Sequence, residues 1–387
     1  MTTRFTLTAL PIFWRESTSY SEHGGIPGAM DLSIGIAKDW GGVQVVLTEQ
    51  LKSTLTAIYL EEENIGYLQD DNPLSEIYGP EFVDFISTAV PAGTHVCEIG
   101  SGGCYTLRKL RAAGYKVSGI DPSPLAAEAG RKYNIPIISD FFPPQEHRDL
   151  GSFGAYIHYD VLEHIDEPLN FLQKIYALLP AGGRSVFVVP DCTEHIANQD
   201  IAMCMHQHLN YFTVNSLWSL AEKAGFQVEV LRQSQSTGTI FCSLAKTSGS
   251  SFQSRETEDP LVVVEIESRR FFDGVHRTFR AKVNEIERMV KESERGIAFY
   301  PPLRAIPYIT GLIHKYRNRL FFVDDNSKVH GKFICNTDIP ILSRQQAIEA
   351  GVRSFIVCSR PFKEAMTNKL TGSHAGPELK ISYLEDF

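Results

Sequence analysis

Two histidines, His206 and His208, stand one residue apart in the segment HQHLNYF. Histidine exchanges protons near neutral pH, so this pair could contain a catalytic base. Neutral imidazole is also a common metal ligand, and His195 and Asp200 are the nearby residues that could complete such a set. The third hypothesis is that both histidines are ordinary polar residues of a loop. The residue types alone leave these three roles open, and the surrounding elements must decide between them.

A second chemical signal is EIGSGGC, residues 98–104, which ends a predicted buried strand and precedes the predicted helix YTLRKLRAAG. Gly100 and Gly102 would let the backbone turn tightly and approach a ligand. Asp121 ends the next predicted strand, YKVSGID, 21 residues after Gly100. A carboxylate at that place can accept hydrogen bonds from ribose hydroxyls. The spacing therefore predicts an adenosine-type ligand across the strand ends.

The glycine pattern does not fit a dinucleotide. The dinucleotide fingerprint G-x-G-x-x-G requires glycine where this chain has Tyr105. Glu98 precedes the first glycine, and its carboxylate would repel a pyrophosphate but would suit a ligand that carries an ammonium group. The alternative is that the glycines only make a strand-to-helix turn. Glu98, Asp121 and the segment YDVLEHI, residues 159–165, each stand at a predicted strand end, which argues against that alternative.

Strands and helices alternate around these residues between about 91 and 245. Strand patterns such as RSVFVVP alternate with helical patterns such as PLNFLQKIYALLPAGG, which predicts a mainly parallel sheet covered on both faces. The polar stretch 247–259 predicts a linker, and one long amphipathic helix or two shorter ones should follow it. A smaller α/β pattern begins at Gly296. The predicted segments are residues 1–90, 91–246, 247–295 and 296–387.

Composition and charge argue against several classes of protein. The 387 residues are 43% hydrophobic and 21% charged, and the net charge of −9 does not suit a general nucleic-acid binder. No apolar run approaches the roughly 18 residues that span a bilayer. The N-terminal stretch MTTRFTLTALPIFWRE lacks a signal-peptide pattern, and the seven cysteines include no C-x-x-C pair. We interpret the cysteines as reduced core residues and predict a cytoplasmic protein.

The pattern E-x-G-x-G-x-C from Glu98 resembles motif I of the class I S-adenosylmethionine-dependent methyltransferases, with Cys104 where that family usually has a third glycine. YDVLEHI resembles the family's loop that lines the methionine side of the cofactor. The resemblance implies a Rossmann-like α/β fold, with S-adenosylmethionine as cofactor and S-adenosylhomocysteine as product. The cofactor-binding residues that it implies are Glu98, Gly100, Ser101, Gly102, Asp121, Pro122, Ser123, Asp140, Asp160, Val161 and His164, with Ser139 beside the adenine.

The segment around the histidines is similar to a narrower family, the C-methyltransferases of nucleotide-linked keto-deoxysugars, which carry Tyr-His-Glu-His in this place. The run FFVDDNSKVHGKFICNTDIPILS agrees with the same family, so the resemblance covers about residues 91–387. In that family the second histidine removes a proton from the carbon beside a ketone, which implies that His208 is the general base. His206, Gln207 and Tyr211 would complete the catalytic set. Carbon methylation through an enolate needs no metal, and we expect none.

Several departures from that family bear on the substrate. The family begins with a zinc domain built on four cysteines, whereas the first cysteine here is Cys97, so we expect a metal-free relic that still covers the active site. Met205 and Gln207 replace the tyrosine and the glutamate of the motif. Pro301 and Pro302 follow a C-terminal strand where the family has Gly-Ala, and proline offers no N–H to a phosphate. We predict a C-methyltransferase of a small polar biosynthetic precursor, with a nucleotide-linked keto-deoxysugar as one candidate.

Two alternatives to carbon methylation remain open. On the same scaffold His208 could deprotonate a hydroxyl or an amine, which would make the protein an O- or N-methyltransferase of a natural-product intermediate. A repurposed member could instead hold the cofactor as a structural ligand, or use its sulfonium charge for another reaction. The sequence predicts a small-molecule substrate and neither a nucleic-acid nor a membrane partner, and it leaves the oligomeric state open.

Overall fold

The computed structural model describes residues 2–12, 26–60, 75–144, 153–234, 237–247, 259–334, 336–372 and 378–387. Its N-terminal segment contains a small antiparallel sheet followed by a helix. The sheet contains β1 (Thr3–Pro11), β2 (Ala29–Ile36) and β3 (Val43–Val45), and the helix is α1 (Glu49–Leu60). The strand that pairs with β3 on its other side is β9 (Asn210–Tyr211), from the middle of the chain. The residues that directly follow the histidine pair therefore belong to the N-terminal sheet.

A second, mostly parallel sheet forms the middle of the protein. Its described strands are β4 (His95–Ile99), β5 (Lys116–Ile120), β6 (Ile137–Ile138), β7 (Ala155–Tyr159), β8 (Arg184–Pro190), β10 (Gln227–Gln233) and β11 (Thr239–Ala245). Their order is β6-β5-β4-β7-β8-β11-β10, and β11 is antiparallel to both its neighbours. The strand order reverses between β4 and β7, and ligands of such sheets bind outside the carboxyl ends of the strands at that point.

Helices cover both faces of this middle sheet. Strand β8 illustrates the division, since Phe187 and Val189 join one hydrophobic cluster while Val186 and Val188 join the other. This follows from the alternation of side chains along a strand. Helices α2 and α3 pack in one cluster, and α5 and α7 pack in the other. The helices of this part are α2 (Ser75–Ala89), α3 (Tyr105–Ala112), α4 (Pro124–Tyr133), α5 (Pro168–Leu178), α6 (Thr193–Ala197) and α7 (Val214–Lys223).

Helix α8 (Pro260–Glu292) is one continuous helix of 33 residues, where the sequence allowed one helix or two. The Asp259 side chain accepts a hydrogen bond from the backbone N–H of Leu261, and Pro260 occupies the first turn, both of which favour a helix start. Most of the predicted linker, residues 248–258, lies outside the described residues. The boundaries 90/91, 246/247 and 295/296 remain predictions, and each falls between elements.

The C-terminal part is a parallel sheet of order β14-β13-β12-β15-β16. Residues 303–317, LRAIPYITGLIHKYR, form a series of short helical turns and not one helix, and Pro307 and Gly311 both disfavour a continuous helix there. The strands are β12 (Ile297–Tyr300), β13 (Leu320–Val323), β14 (Ile341–Leu342), β15 (Ser354–Val357) and β16 (Lys380–Tyr383). The helices are α9 (Ile306–Ile309), α10 (Ile313–Tyr316), α11 (Arg344–Glu349) and α12 (Lys363–Gly372).

A buried ion pair connects α8 with the loop before the histidine pair and with the C-terminal part. The Lys282 side chain, whose residue is 2% exposed, places its Nζ 3.3 Å from the Asp200 carboxylate and donates a hydrogen bond of 2.6 Å to the carbonyl of Leu384. The Tyr308 hydroxyl donates to the same carboxylate. Burial alone would raise the pKa of Asp200, but His195, Lys282 and Tyr308 hold it below its ordinary value. The loop that precedes the histidine pair is thus held by contacts with α8 and with the C-terminal part.

The cysteines were expected to be reduced core residues. The six described cysteines are free and buried, in agreement with that expectation, and Cys335 lies outside the described residues. Among the described helices, none combines the length and the apolar character that crossing a bilayer requires.

Candidate active site

A cavity of about 670 Å³ opens at the carboxyl ends of β4, β5 and β7. All eleven residues that the sequence predicted for cofactor binding line it, together with Gln207 and His208 from the histidine segment. Ser139 does not line this cavity. The eleven residues are Glu98, Gly100, Ser101, Gly102, Asp121, Pro122, Ser123, Asp140, Asp160, Val161 and His164.

The turn after β4 needs left-handed backbone at three positions. Gly100 has φ of +74° and Gly102 has φ of +43°, and a Cβ on Gly100 would lie 2.7 Å from Cγ2 of Val161. Cys104, where the related family usually has glycine, also adopts a positive φ of 60°. A non-glycine residue pays a steric cost there. Cys104 is fully buried and does not line the cavity. Its side chain therefore strains the local backbone but does not reduce the space for a ligand.

Asp121 fixes two turns of the cavity wall to each other. Its Oδ2 accepts a hydrogen bond of 2.8 Å from the N–H of Gly102, and its Oδ1 accepts one of 2.8 Å from the N–H of Ser123. Burial raises the pKa of this carboxyl, and the two backbone hydrogen bonds act in the opposite direction. Each carboxylate oxygen can accept a further hydrogen bond. Asp121 therefore keeps acceptor capacity for hydroxyl groups of a ligand in the cavity.

Glu98 is a buried carboxyl with an unsatisfied oxygen. It is 3% exposed, and its Oε2 has no hydrogen-bond partner among the described residues. Burial raises its pKa to about 8, Asp121 adds to that rise, and a hydrogen bond with Thr106 opposes it. An unpaired buried acceptor is costly, so this position suits a ligand that supplies a donor with positive charge. The ammonium group of S-adenosylmethionine has that chemistry.

The loop after β7 is attached to the histidine segment through His164. The Nδ1 of His164 lies 2.7 Å from the carbonyl oxygen of Gln207. A carbonyl only accepts hydrogen bonds, so Nδ1 carries the proton and Nε2 keeps its lone pair in the neutral ring. The Tyr59 hydroxyl lies 3.2 Å from the same Nδ1. Tyr59 comes from α1, and no motif in the sequence points to its presence in this site.

The N-terminal segment supplies one wall of the cavity. Leu55 and Tyr59 of α1 line the cavity, as does Leu47 just before that helix. Trp40 is buried, and its ring centroid lies 5.5 Å from that of Phe212. This aromatic contact joins the N-terminal segment to the residue that directly follows β9.

His208 lines the cavity, and its ring centroid lies 5.1 Å from that of His164. Burial lowers the pKa of His208 well below its ordinary value, and His164 and Arg304 lower it further. The ring is therefore neutral at physiological pH and offers an unprotonated nitrogen. This is the state that a general base or a metal ligand requires.

His206 and Tyr211 do not line the cavity, although the sequence placed both in the catalytic set. His206 is buried, and its Nε2 donates a hydrogen bond of 3.0 Å to the carbonyl of Met30, while burial lowers its pKa to about 4. Tyr211 is buried in β9 opposite Val43. We therefore leave both out of the catalytic set, since their contacts are those of structural residues.

The metal set considered from the sequence is not assembled either. The Nδ1 of His195 lies 3.7 Å from Asp200, which also pairs with Lys282. His206 contacts the Met30 carbonyl. Neither His195 nor Asp200 lines the cavity with His208.

Comparison with known proteins agrees with this geometry. Residues 75–231 match the model of a methyltransferase domain family. The chain is 25% identical to the C-methyltransferase NovU of Streptomyces niveus over 267 residues. This match covers 66% of the present chain and 64% of NovU. The chain is 26% identical over 123 residues to a ubiquinone biosynthesis O-methyltransferase of Xanthomonas axonopodis pv. citri, covering 30% of this chain and 52% of that protein. The matches thus span less than two thirds of either relative.

A solved structure that is similar in part is the 1,6-didemethyltoxoflavin-N1-methyltransferase of Burkholderia thailandensis, with a TM-score of 0.42 and 15% identity, covering 56% of this chain and 96% of that one. The predicted Rossmann-like α/β fold is confirmed by the sheet and by the family match. Residues 75–231 therefore form a methyltransferase domain, built on the Rossmann-like sheet described above.

Proposed function

We propose that the protein transfers the methyl group of S-adenosylmethionine to a carbon atom of a small polar acceptor, with His208 as general base. The observation that carries this proposal is that His208 lines the same cavity as Glu98 and Asp121. A methyl donor and an acceptor must meet in one water-poor space, and a base must reach the acceptor's proton.

The residues present fit the cofactor. When bound, S-adenosylmethionine supplies an electrophilic methyl group on a sulfonium. The unsatisfied carboxyl of Glu98 would pair with its ammonium group, and Asp121 would accept hydrogen bonds from its ribose hydroxyls. Asp140 would lie toward the adenine. The cavity of about 670 Å³ is within the usual range for a small-molecule site and leaves room for an acceptor.

The environment of His208 limits the acceptors that it can serve. Burial, His164 and Arg304 all disfavour its protonated form. A base with a lowered pKa takes a proton efficiently only when the proton donor is itself acidic. Among carbon acceptors, we therefore propose one next to a carbonyl group, where the negative charge left by proton removal is delocalised onto oxygen. Gln207, whose carbonyl holds His164, would position the segment and not add charge to the base.

The extent of similarity favours carbon over oxygen or nitrogen as the acceptor atom. The similarity to NovU covers 66% of this chain and so extends beyond the methyltransferase domain, whereas that to the ubiquinone O-methyltransferase covers 30%. An O-methyltransferase is the second candidate, because that relative matches the domain equally well in identity.

Solvent exchange of the acceptor's carbon-bound proton tests the proposal. The protein, saturated with S-adenosylhomocysteine in deuterium oxide, would be incubated with a panel of small ketones and keto-sugars and followed by proton NMR. Loss of the signal from the carbon beside the ketone supports carbon methylation. Methylation at oxygen or nitrogen without such exchange supports the second candidate. Tight cofactor binding with neither exchange nor transfer for any acceptor would identify a repurposed member.

The resemblance to the nucleotide-sugar enzymes implies that the C-terminal part helps to bind a nucleotide, but the contacts of its turn Asp324–Asn326 support an acceptor without one. The Asp325 carboxylate accepts hydrogen bonds from Tyr300 (2.7 Å), Arg344 (2.7 Å) and Lys369 (2.6 Å). Asp324 accepts one of 2.8 Å from the backbone of Asn326. These groups are engaged within the protein, so we propose a free small molecule. Calorimetric titration of dTDP into the protein saturated with S-adenosylhomocysteine tests this, and clear binding would restore a nucleotide-linked keto-deoxysugar.

A further inference from the structure

Glu163, His164 and His208 form a cluster that carbon methylation does not explain. Glu163 is 1% exposed, and neither of its carboxylate oxygens has a hydrogen-bond partner in another described residue. The Nε2 of His164 lies 3.7 Å from Oε1 of Glu163. One ligand atom from each of the three residues lies within 4.8 Å of the other two. The buried carboxyl of Glu163 thus lies close to the rings of His164 and His208 but forms a hydrogen bond with neither.

The hydrogen bond of His164 to the Gln207 carbonyl decides which of its nitrogens is free. Nδ1 donates to that carbonyl, so the lone pair of the neutral ring is on Nε2, the nitrogen nearest Glu163. An unprotonated nitrogen and a carboxylate oxygen facing each other repel unless a proton or a cation lies between them. Metal-ligating histidines usually donate their other N–H to a backbone carbonyl or a carboxylate in this way.

We propose that Glu163, His164 and His208 bind one divalent transition-metal ion. Two imidazole nitrogens and one carboxylate oxygen suit Zn²⁺, Fe²⁺ or Co²⁺ better than Mg²⁺ or Ca²⁺, which prefer oxygen ligands. Both histidines line the cavity, whereas Glu163 is buried and does not line it. An ion held by these three side chains therefore has its remaining coordination positions toward the cavity, where a carbonyl or hydroxyl of the acceptor could reach it.

The ion and the base role compete for His208, and this consequence rests on the proposed function. A ring nitrogen that coordinates a metal cannot take a proton from the acceptor. A bound ion should therefore suppress methyl transfer if His208 is the base. The existence of the site does not depend on that role, so binding and activity can be measured separately.

Cobalt binding to the full-length protein is the first test. Co²⁺ would be titrated while its visible absorption is recorded, and the metal content after dialysis would be counted by mass spectrometry. We expect one Co²⁺ per chain in the wild type and binding weakened more than about tenfold in Glu163→Gln and in His164→Gln. His206→Gln is the matched control, because His206 is a buried histidine of the same segment outside the cluster, and it should bind as the wild type does.

Each variant is used only if its thermal melting and its affinity for S-adenosylhomocysteine show that it is folded. If one of the ligand variants is unfolded, His208→Gln takes its place. Absence of stoichiometric Co²⁺, or binding that Glu163→Gln leaves unchanged, would overturn the proposal. Methyl transfer measured with and without Co²⁺ separates the two proposals. If bound Co²⁺ stops methyl transfer, both the metal site and the base role of His208 are supported. If bound Co²⁺ accelerates methyl transfer, the metal site is supported and His208 is not the base.

Discussion

The Nδ1 of His164 and the carbonyl oxygen of Gln207 are 2.7 Å apart, which joins the loop after β7 to the segment that carries His208. The side-chain amide of Asn210 strengthens this connection, because it donates to three backbone carbonyls of the same loop. The side of the cavity proposed for the methyl donor and the side with the proposed base are thus held together by local hydrogen bonds. A fixed relation of this kind is what proximity catalysis needs.

Replacing Asp121 by alanine should weaken binding of S-adenosylmethionine more than about tenfold. The change removes the proposed acceptor for the ribose hydroxyls, and hydrogen bonds to charged groups are worth about 1.5–3 kcal/mol. Calorimetry with S-adenosylhomocysteine would measure the affinity, and Ser139→Ala, outside the cavity wall, is the control. An unchanged dissociation constant in a folded Asp121→Ala protein would refute the proposed cofactor position.

The affinity for S-adenosylmethionine should increase as the pH rises through about 8. In the free protein Glu98 has a pKa of about 8, so much of this carboxyl is protonated at pH 7. Only the ionised form pairs with the ammonium group of the ligand. Titrations between pH 6.5 and 8.5 should therefore show tighter binding at the higher pH in the wild type and a flat profile in Glu98→Gln, which cannot ionise. A pH dependence that survives in Glu98→Gln must come from another group.

Glu98 should also make the ligand-free protein less stable at high pH. Its folded-state pKa of about 8 lies above the ordinary 4.5, so between these values the folded state holds a proton that the unfolded state releases. Stability from this group is therefore full below about pH 4.5 and is lost as the pH rises toward 8. Glu98→Gln should melt above the wild type at pH 8 and close to it at pH 5. An equal difference in melting temperature between Glu98→Gln and the wild type at pH 5 and pH 8 would show that ionisation of Glu98 is not the reason.

Replacing His208 by glutamine should lower methyl transfer by about 10²–10⁴-fold, the usual contribution of a general base, and leave the affinity for S-adenosylhomocysteine unchanged. The parallel variant His206→Gln should lose stability but keep the chemical step, since His206 contacts the Met30 carbonyl and not the cavity. Single-turnover rates with saturating cofactor would separate the two effects. Retained turnover in His208→Gln would require another base.

Replacing Asp200 by alanine should reduce the free energy of unfolding by about 3–5 kcal/mol, the usual cost of leaving a buried charge without its partner. The partner is Lys282, which keeps its hydrogen bond to the Leu384 carbonyl but loses the carboxylate that balances its charge. Denaturant unfolding would measure the loss. The double variant Asp200→Ala with Lys282→Met removes the unpaired charge and should recover part of it, and a double variant no more stable than the single one would count against the explanation.

The sequence predicted the strand ends well because their signals are local. Glu98 is the penultimate residue of β4, Asp121 and Asp160 directly follow β5 and β7, and parallel strands bring their carboxyl ends to one edge. That the His206 side chain is turned away from the cavity could not be predicted, because it hydrogen-bonds to the Met30 carbonyl, 176 residues earlier in the chain. Tyr59 was missed for a similar reason, since an amphipathic helix pattern shows that one face is buried but not what it packs against.

The pairing of β3 with β9 limits how this protein can be re-engineered. Gln44 is opposite Asn210 in that pairing, and its side-chain amide donates a hydrogen bond of 2.9 Å to Oδ1 of Asn210. A chimera that takes only the histidine segment from a related enzyme would insert one strand of a sheet without its neighbour. The smallest transplantable cassette is therefore discontinuous, since it must include β1, β2, β3 and α1 together with residues 206–211. Combinatorial libraries aimed at new acceptors should vary both stretches in the same clone.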